Sequence, residues 1–148
     1  MERLLIAAAI VVVVAALSLL LRRRATVDSP TQARHLAPMQ LDREDFPGAE
    51  RRWLLAVFTS ATCSTCADVV RKAKVSESSA VAVAEIEWSA DRALHERYGV
   101  DAVPTTVLAD RDGVVRASFI GPVTATDLWA AVAEAREPGT SPEPDLGR

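Results

Sequence analysis

The sequence predicts an α/β domain, a central mixed sheet flanked by helices, preceded by one transmembrane helix. Three observations carry this reading. The eighteen residues Leu4 to Leu21 contain one polar side chain, Ser18. From Trp53 onward, short apolar or β-branched runs alternate with helical patterns, as in a sheet with helices packed on its faces. The first of these runs breaks directly into Cys63-Ser64-Thr65-Cys66, which holds both cysteines of the 148-residue chain.

As a helix, Leu4 to Leu21 would be about 27 Å long at roughly 1.5 Å per residue, close to the hydrocarbon thickness of a bilayer. It has no amphipathic stripe, and Arg22-Arg23-Arg24 follow at once, which separates it from a buried soluble helix. A cleaved signal peptide would end a shorter apolar run in small residues. This one ends in three leucines and three arginines, so residues 1–24 read as an uncleaved anchor held in the lipid bilayer. Only Arg3 and the amino terminus precede the span, whereas Arg22, Arg23, Arg24, Arg34 and Arg43 follow it. The positive-inside bias therefore places the rest of the chain in the cytoplasm, with an extracytoplasmic orientation as the alternative. Residues 25–38 carry Asp28, Ser29, Pro30, Thr31, Gln32 and Pro38 with no apolar period and read as a tether, in which His35 is a solvated linker histidine.

The chain carries a net −3, but after Arg24 there are 13 basic residues against 19 acidic, a net −6. An acidic domain excludes nucleic acid as a partner, because phosphate binding needs clustered Lys and Arg. About 100 residues remain for one domain, enough to bury a core without staples. Two cysteines three apart do not make a disulfide scaffold; they point to redox chemistry or to half a metal site.

The domain is expected over residues 39–137. Met39 to Glu50 opens it with a few residues of strand, a helical turn around Asp42 to Phe46, and a break at Pro47-Gly48. Trp53 to Thr59 is uninterruptedly apolar, as for a strand covered on both faces in the middle of a sheet. Thr62 is placed to cap a helix beginning at the cysteines, with Ala67, Val69, Val70 and Ala73 on its apolar side and Asp68, Arg71, Lys72 and Lys74 opposite. Val81 to Trp88 is the next strand. Ser89 is placed to cap a following helix with Leu94 and Tyr98 inward, His95 on its polar face and Gly99 at its end. Thr105 to Ala109 and Val114 to Ile120 form a hairpin centred on Asp112-Gly113. Thr124 to Glu137 closes the domain with Leu128, Trp129, Val132 and Ala133 inward, and residues 138–148 read as a disordered tail.

Four features in register resemble the thioredoxin family: FTSATCSTC at the end of a buried strand, Tyr98-Gly99-Val100, Val103-Pro104-Thr105-Thr106, and DGVVRASFIGPVTATDL leading into a final helix. The resemblance covers about Leu41 to Ala135, and with the anchor it extends to small membrane-tethered thioredoxin-like proteins of bacteria. It implies that Cys63, at a helix N-terminus, is the nucleophile and Cys66 the resolving cysteine of a redox disulfide. It also implies a cis peptide before Pro104, which leaves the Val103 backbone free to pair with an extended substrate. Thr62 stands where the family commonly has Trp, and Ser64-Thr65 replace Gly-Pro. Val57 stands where thioredoxins bury an Asp, and Glu85 aligns with that Asp's Lys partner. A partly buried Glu85 would be the base for Cys66, set against a solvated strand glutamate.

Trp53, Phe58, Trp88, Phe119 and Trp129 read as core or partly covered aromatics. Arg71, Lys72 and Lys74 form a solvated basic face that could help to ionise Cys63. The resulting expectation is a membrane-tethered thiol–disulfide oxidoreductase acting on protein or small-molecule disulfides. It needs no cofactor or metal, and its electron donor or acceptor could be a membrane protein. The alternatives are a non-enzymatic thioredoxin-fold interaction module and a dithiol that carries a soft metal ion.

Overall fold

The computed structural model describes residues 36–139. Leu4 to Leu21, most of the tether and nearly all of the expected tail lie outside the described residues. Among the described residues no helix is long and apolar enough to cross a membrane.

Four strands, β1 (Trp53–Thr59), β2 (Val81–Glu87), β3 (Thr105–Ala109) and β4 (Val115–Ile120), lie in the order β2-β1-β3-β4. β1 pairs parallel with β2 and antiparallel with β3, and β3 pairs antiparallel with β4, so the sheet is mixed. Among the described residues three α-helices accompany it: α1 (Cys66–Lys74), α2 (Arg92–Arg97) and α3 (Ala125–Arg136).

The uninterrupted apolar run of β1 is explained by its central place. All seven of its residues are buried, with Leu54, Ala56 and Phe58 on one face and Trp53, Leu55 and Val57 on the other. The first set packs with Leu41, Phe46, Ile86 and Val100, and with Leu94 and Tyr98 beside α2. The second packs under α1 and α3 against Val69, Ala73, Leu128 and Val132. Each Leu, Val or Phe buried in this way contributes about 1.5–3 kcal/mol. α1 also packs directly against α3, so the sheet holds one face of the helix that begins at Cys66.

The opening segment is as expected: Gln40 forms a bridge to Val114, a 3-10 turn spans Arg43–Asp45, and Gly48 has φ +74°. Buried Arg43 ties this segment down, donating to the carbonyls of Asp110, Gly48 and Arg51. Burial lowers its pKa, opposed by the Asp110 charge. At the β3–β4 turn the Gly113 N–H reaches the Asp110 carbonyl at 3.1 Å, so Arg111-Asp112 are central and not Asp112-Gly113. Gly113 follows at φ +77°, where a Cβ would stand 1.9 Å from the Leu41 carbonyl oxygen. Only glycine fits this position.

Several side chains depart from the expected placement. Ser89 does not cap α2, which starts after Asp91; Ser89 bonds Glu87 instead. His95 is buried, not on a polar face, because α2 packs over the sheet face that carries Phe58 and Ile86. On α3 only Leu128 and Val132 are buried; Ala133 is exposed, and Trp129 lies across α1, donating to the Lys72 carbonyl. Ala67 is likewise exposed.

Candidate active site

The site lies where β1 runs out of the sheet. The pairing of Phe58 with Thr105 makes the C-terminal end of β1 a neighbour of the N-terminal end of β3, which Pro104 precedes. The segment before the cysteines and the Val103-Pro104 segment therefore meet at one edge of the fold.

The backbone turns through Ser60 to Thr65. The Cys63 N–H donates to the Ser60 carbonyl at 3.0 Å, and α1 begins only at Cys66. The expected cap at Thr62 is therefore corrected. Thr65 is the N-cap residue, in helical conformation and without a side-chain cap bond, while exposed Thr62 shares a 3.2 Å contact with the Ser60 hydroxyl. A short Ser-Thr-rich turn prefers its own side-chain contacts to a helix start.

Cys63 and Cys66 are joined in a disulfide with Cα atoms 5.5 Å apart. Cys66 is buried at 4 % exposure, whereas Cys63 is half-buried, so the two sulfurs differ in access. Cys63 Sγ has the Thr65 hydroxyl at 3.7 Å. The Val103–Pro104 peptide is cis, as the resemblance implied. Pro104 is buried, and its carbonyl accepts from the Gly121 N–H at 2.7 Å. Ser60, Trp88, His95, Val100, Asp101 and Val103 line a cavity of about 240 Å³ beside this segment.

Beneath α1, Val57 pairs in register with Glu85 on β2, so the two share a face of the sheet. Glu85 is exposed and accepts from the Thr59 hydroxyl at 3.3 Å. The expectation of a partly buried carboxylate is thereby corrected: β2 is an edge strand, and its end opens to solvent. On the helix, Asp68 accepts from Lys72 at 2.6 Å and also pairs with Arg71. The Lys72 hydrogen bond, with the two positive charges, lowers the Asp68 pKa. Lys72 also donates to the Val123 carbonyl, so two of the three basic side chains of this face are bound to groups on α1 itself or to the segment before α3.

One residue of the site was not foreseen. Glu87, the last residue of β2, accepts from the backbone N–H groups of Ala61 (3.0 Å), Ser89 (2.8 Å) and Ala90 (3.1 Å) and from the Ser89 hydroxyl. The Ser89 hydroxyl, followed by the backbone donors, holds its carboxyl below the usual range. No motif marks it; the signal in the sequence is an acidic residue ending a strand directly before Trp-Ser-Ala.

Residues 39–136 match the family model of the thioredoxin-like domain. The chain belongs to the thioredoxin-like family. Among solved structures, the thioredoxin-like domain is similar to the germline-specific thioredoxin Deadhead of Drosophila melanogaster, at 26% identity and TM-score 0.51 over 58% of this chain and 83% of that one. A thioredoxin-fold protein from Helicobacter pylori matches at 19% identity and TM-score 0.51, over 64% and 82% of the two chains. A mutant thioredoxin from Halobacterium salinarum matches at 28% identity and TM-score 0.49, over 59% and 76%. No curated protein matches the chain. A thioredoxin-like domain with its Cys-x-x-C pair at disulfide distance is consistent with thiol–disulfide redox function, with disulfide substrates or redox partners.

Proposed function

We propose that the protein is a membrane-tethered thiol–disulfide oxidoreductase. The single observation that supports this most is the pairing of a half-buried Cys63 with a buried Cys66 at the start of α1, in a family built on that chemistry. In the reduced protein, the Cys63 thiolate attacks one sulfur of a partner disulfide. A Cys63–partner disulfide forms, the partner's own S–S bond breaks, and the other sulfur leaves as a thiolate. Cys66 then gives up its proton and attacks the Cys63 sulfur. The Cys63–Cys66 disulfide forms, the partner's second sulfur leaves, and two electrons have passed to the partner. The backbone N–H groups at the start of α1 favour the anionic sulfur.

Val103 and Pro104 are the positioning residues in this reading, with Thr62 on the exposed rim of the cysteine turn. The Val103 N–H and C=O have no hydrogen-bond partner among the described residues, which leaves them available to an extended substrate segment. We assign residues 1–24 to the anchor, 25–38 to the linker, 39–137 to the catalytic domain and 138–148 to a tail. The domain faces the cytoplasm under the positive-inside bias and would then act as a reductant, with electrons from a reductase or a membrane partner. An outward orientation would make it an oxidant, an isomerase or a carrier of reducing equivalents.

Trapping in cells tests this. Cys66→Ala cannot resolve its mixed disulfides, so partners should remain on Cys63 in the membrane fraction and be released by dithiothreitol. Absence of adducts would overturn the oxidoreductase reading, and recovery of the protein in the soluble fraction would overturn the tether.

A further inference from the structure

We propose that Glu87 is a positioning residue for the Cys63–Cys66 dithiol. Its carboxylate clamps the turn that carries the cysteines to the turn that carries Trp88, Ser89 and Ala90. The inference rests on the oxidoreductase reading.

The geometry is that of a bracket. One carboxylate oxygen takes the Ala61 N–H, two residues before Cys63; the other takes both donors of Ser89 and the Ala90 N–H. A second link runs parallel to it, from the Trp88 N–H to the Thr59 carbonyl at 3.0 Å. The register brings this about, because Thr59 stands opposite Glu87 at the last pair of the β1–β2 ladder. Beyond that pair the two chains have no further ladder, and Glu87 replaces it with side-chain hydrogen bonds. The turn needs such a fixture: Ala61 and Thr62 are exposed, and Thr62 offers no large side chain to pack. Charge-assisted bonds to a carboxylate are roughly twice as strong as neutral ones, so a half-buried acceptor can hold this turn. Reaction of Cys63 with a disulfide requires in-line approach of three sulfurs, and displacing the nucleophile by about 1 Å can cost 10²-fold in rate.

Glu87→Ala removes all four acceptor contacts. Glu87→Gln keeps the length but puts an amide donor at one of the two oxygen positions, where it faces another donor. The full chain in detergent serves for each assay: amide exchange at Ala61, Ser89 and Ala90, the rate of exchange with oxidised glutathione, and the dithiol–disulfide equilibrium against glutathione. Ala61 exchange is expected to quicken at least tenfold in Glu87→Ala. The glutathione reaction should slow about tenfold, the equilibrium should shift, and Glu87→Gln should fall between this variant and the wild type. If Glu87→Ala does not fold, Glu87→Gln carries the same test. A folded variant with faster Ala61 exchange but the wild-type rate and equilibrium would overturn the positioning role, as would unchanged Ala61 exchange. A wild-type protein that does not react with glutathione or any other disulfide would instead overturn the oxidoreductase reading.

Discussion

Val57 and Thr106 stand directly opposite each other in the β1–β3 ladder, both with no exposed surface. They share the face of the sheet that α1 covers, where other members of the family bury a carboxylate. Here the pair is apolar except for the Thr106 hydroxyl, which has no hydrogen-bond partner among the described residues. An unsatisfied buried hydroxyl costs about 1–3 kcal/mol. Thr106→Val replaces it with a methyl group of similar shape. The variant should gain about 1 kcal/mol in urea unfolding; a loss of stability would show that the hydroxyl is bonded.

A second prediction concerns the packing of α2 on the sheet. The His95 ring nitrogen Nε2 lies 3.0 Å from the Ile86 carbonyl, and since a carbonyl only accepts, Nε2–H donates. Its ring packs edge-on against Phe58 and Trp88, at 5.1 Å in each case. His95→Phe keeps an aromatic ring there but removes the Nε2–H bond, while the Ile86 carbonyl keeps its ladder bond from the Thr59 N–H. Thermal and denaturant unfolding should report a loss of about 0.5–1.5 kcal/mol. A change below about 0.5 kcal/mol is what a solvated surface position would give and would contradict the burial.

Tyr98 joins α2 to the opening segment. Its hydroxyl accepts from the Asp42 N–H at 3.0 Å and donates to the Asp45 carboxylate. Burial first, then the bond to Asp45, raises its pKa above the ordinary 10.0. Folding thus favours the protonated phenol: this contribution is present below pH 10.0 and is lost as the pH rises through the folded value. Because the chain has one tyrosine, ultraviolet titration reads this group alone. The phenolate should appear at higher pH in the native protein than in urea. Tyr98→Phe should cost about 1–2 kcal/mol and quicken amide exchange at Asp42.

Much of this was legible in the sequence, for physical reasons. A strand buried on both faces must be apolar throughout, so the bounds of β1 could be read from Trp53 to Thr59 alone. The cis peptide before Pro104 followed from the family motif, since no local property of Val-Pro separates cis from trans. The start of α1 is not legible in the sequence because Ser60, Thr62, Ser64 and Thr65 are all competent caps, and only tertiary contacts decide among them. The burial of His95 is not legible because α2 has only six residues, too few for a period to tell an inner face from an outer one. Glu87 is invisible for a different reason: the partner that ties it to the cysteine turn, Ala61, lies on another strand's extension, 26 residues away.

Asp110 links the β3–β4 turn to the opening segment and makes acid stability testable. Its carboxylate accepts from the backbone N–H groups of Asp112 and Val114, each at 3.0 Å, and from Arg116 Nε at 2.8 Å. Its own carbonyl takes buried Arg43. Desolvation pushes the carboxyl up, but the Arg116 bond and charge together with the two backbone donors outweigh it, so the net shift is below the ordinary 3.8. A depressed folded value means that ionised Asp110 stabilises the fold fully above pH 3.8, and that this stability is lost as the pH falls through the folded value. Asp110→Asn retains an acceptor for the turn but loses the charge facing Arg116 and Arg43. At neutral pH it should be less stable by about 1–3 kcal/mol. The gap to the wild type should narrow only as the pH drops below 3.8, because there the wild-type carboxyl becomes neutral as well. Parallel denaturant melts from pH 7 to pH 2 check this. A gap that stays constant over that range would show that the charge of Asp110 contributes nothing and that the turn rests on its backbone hydrogen bonds alone.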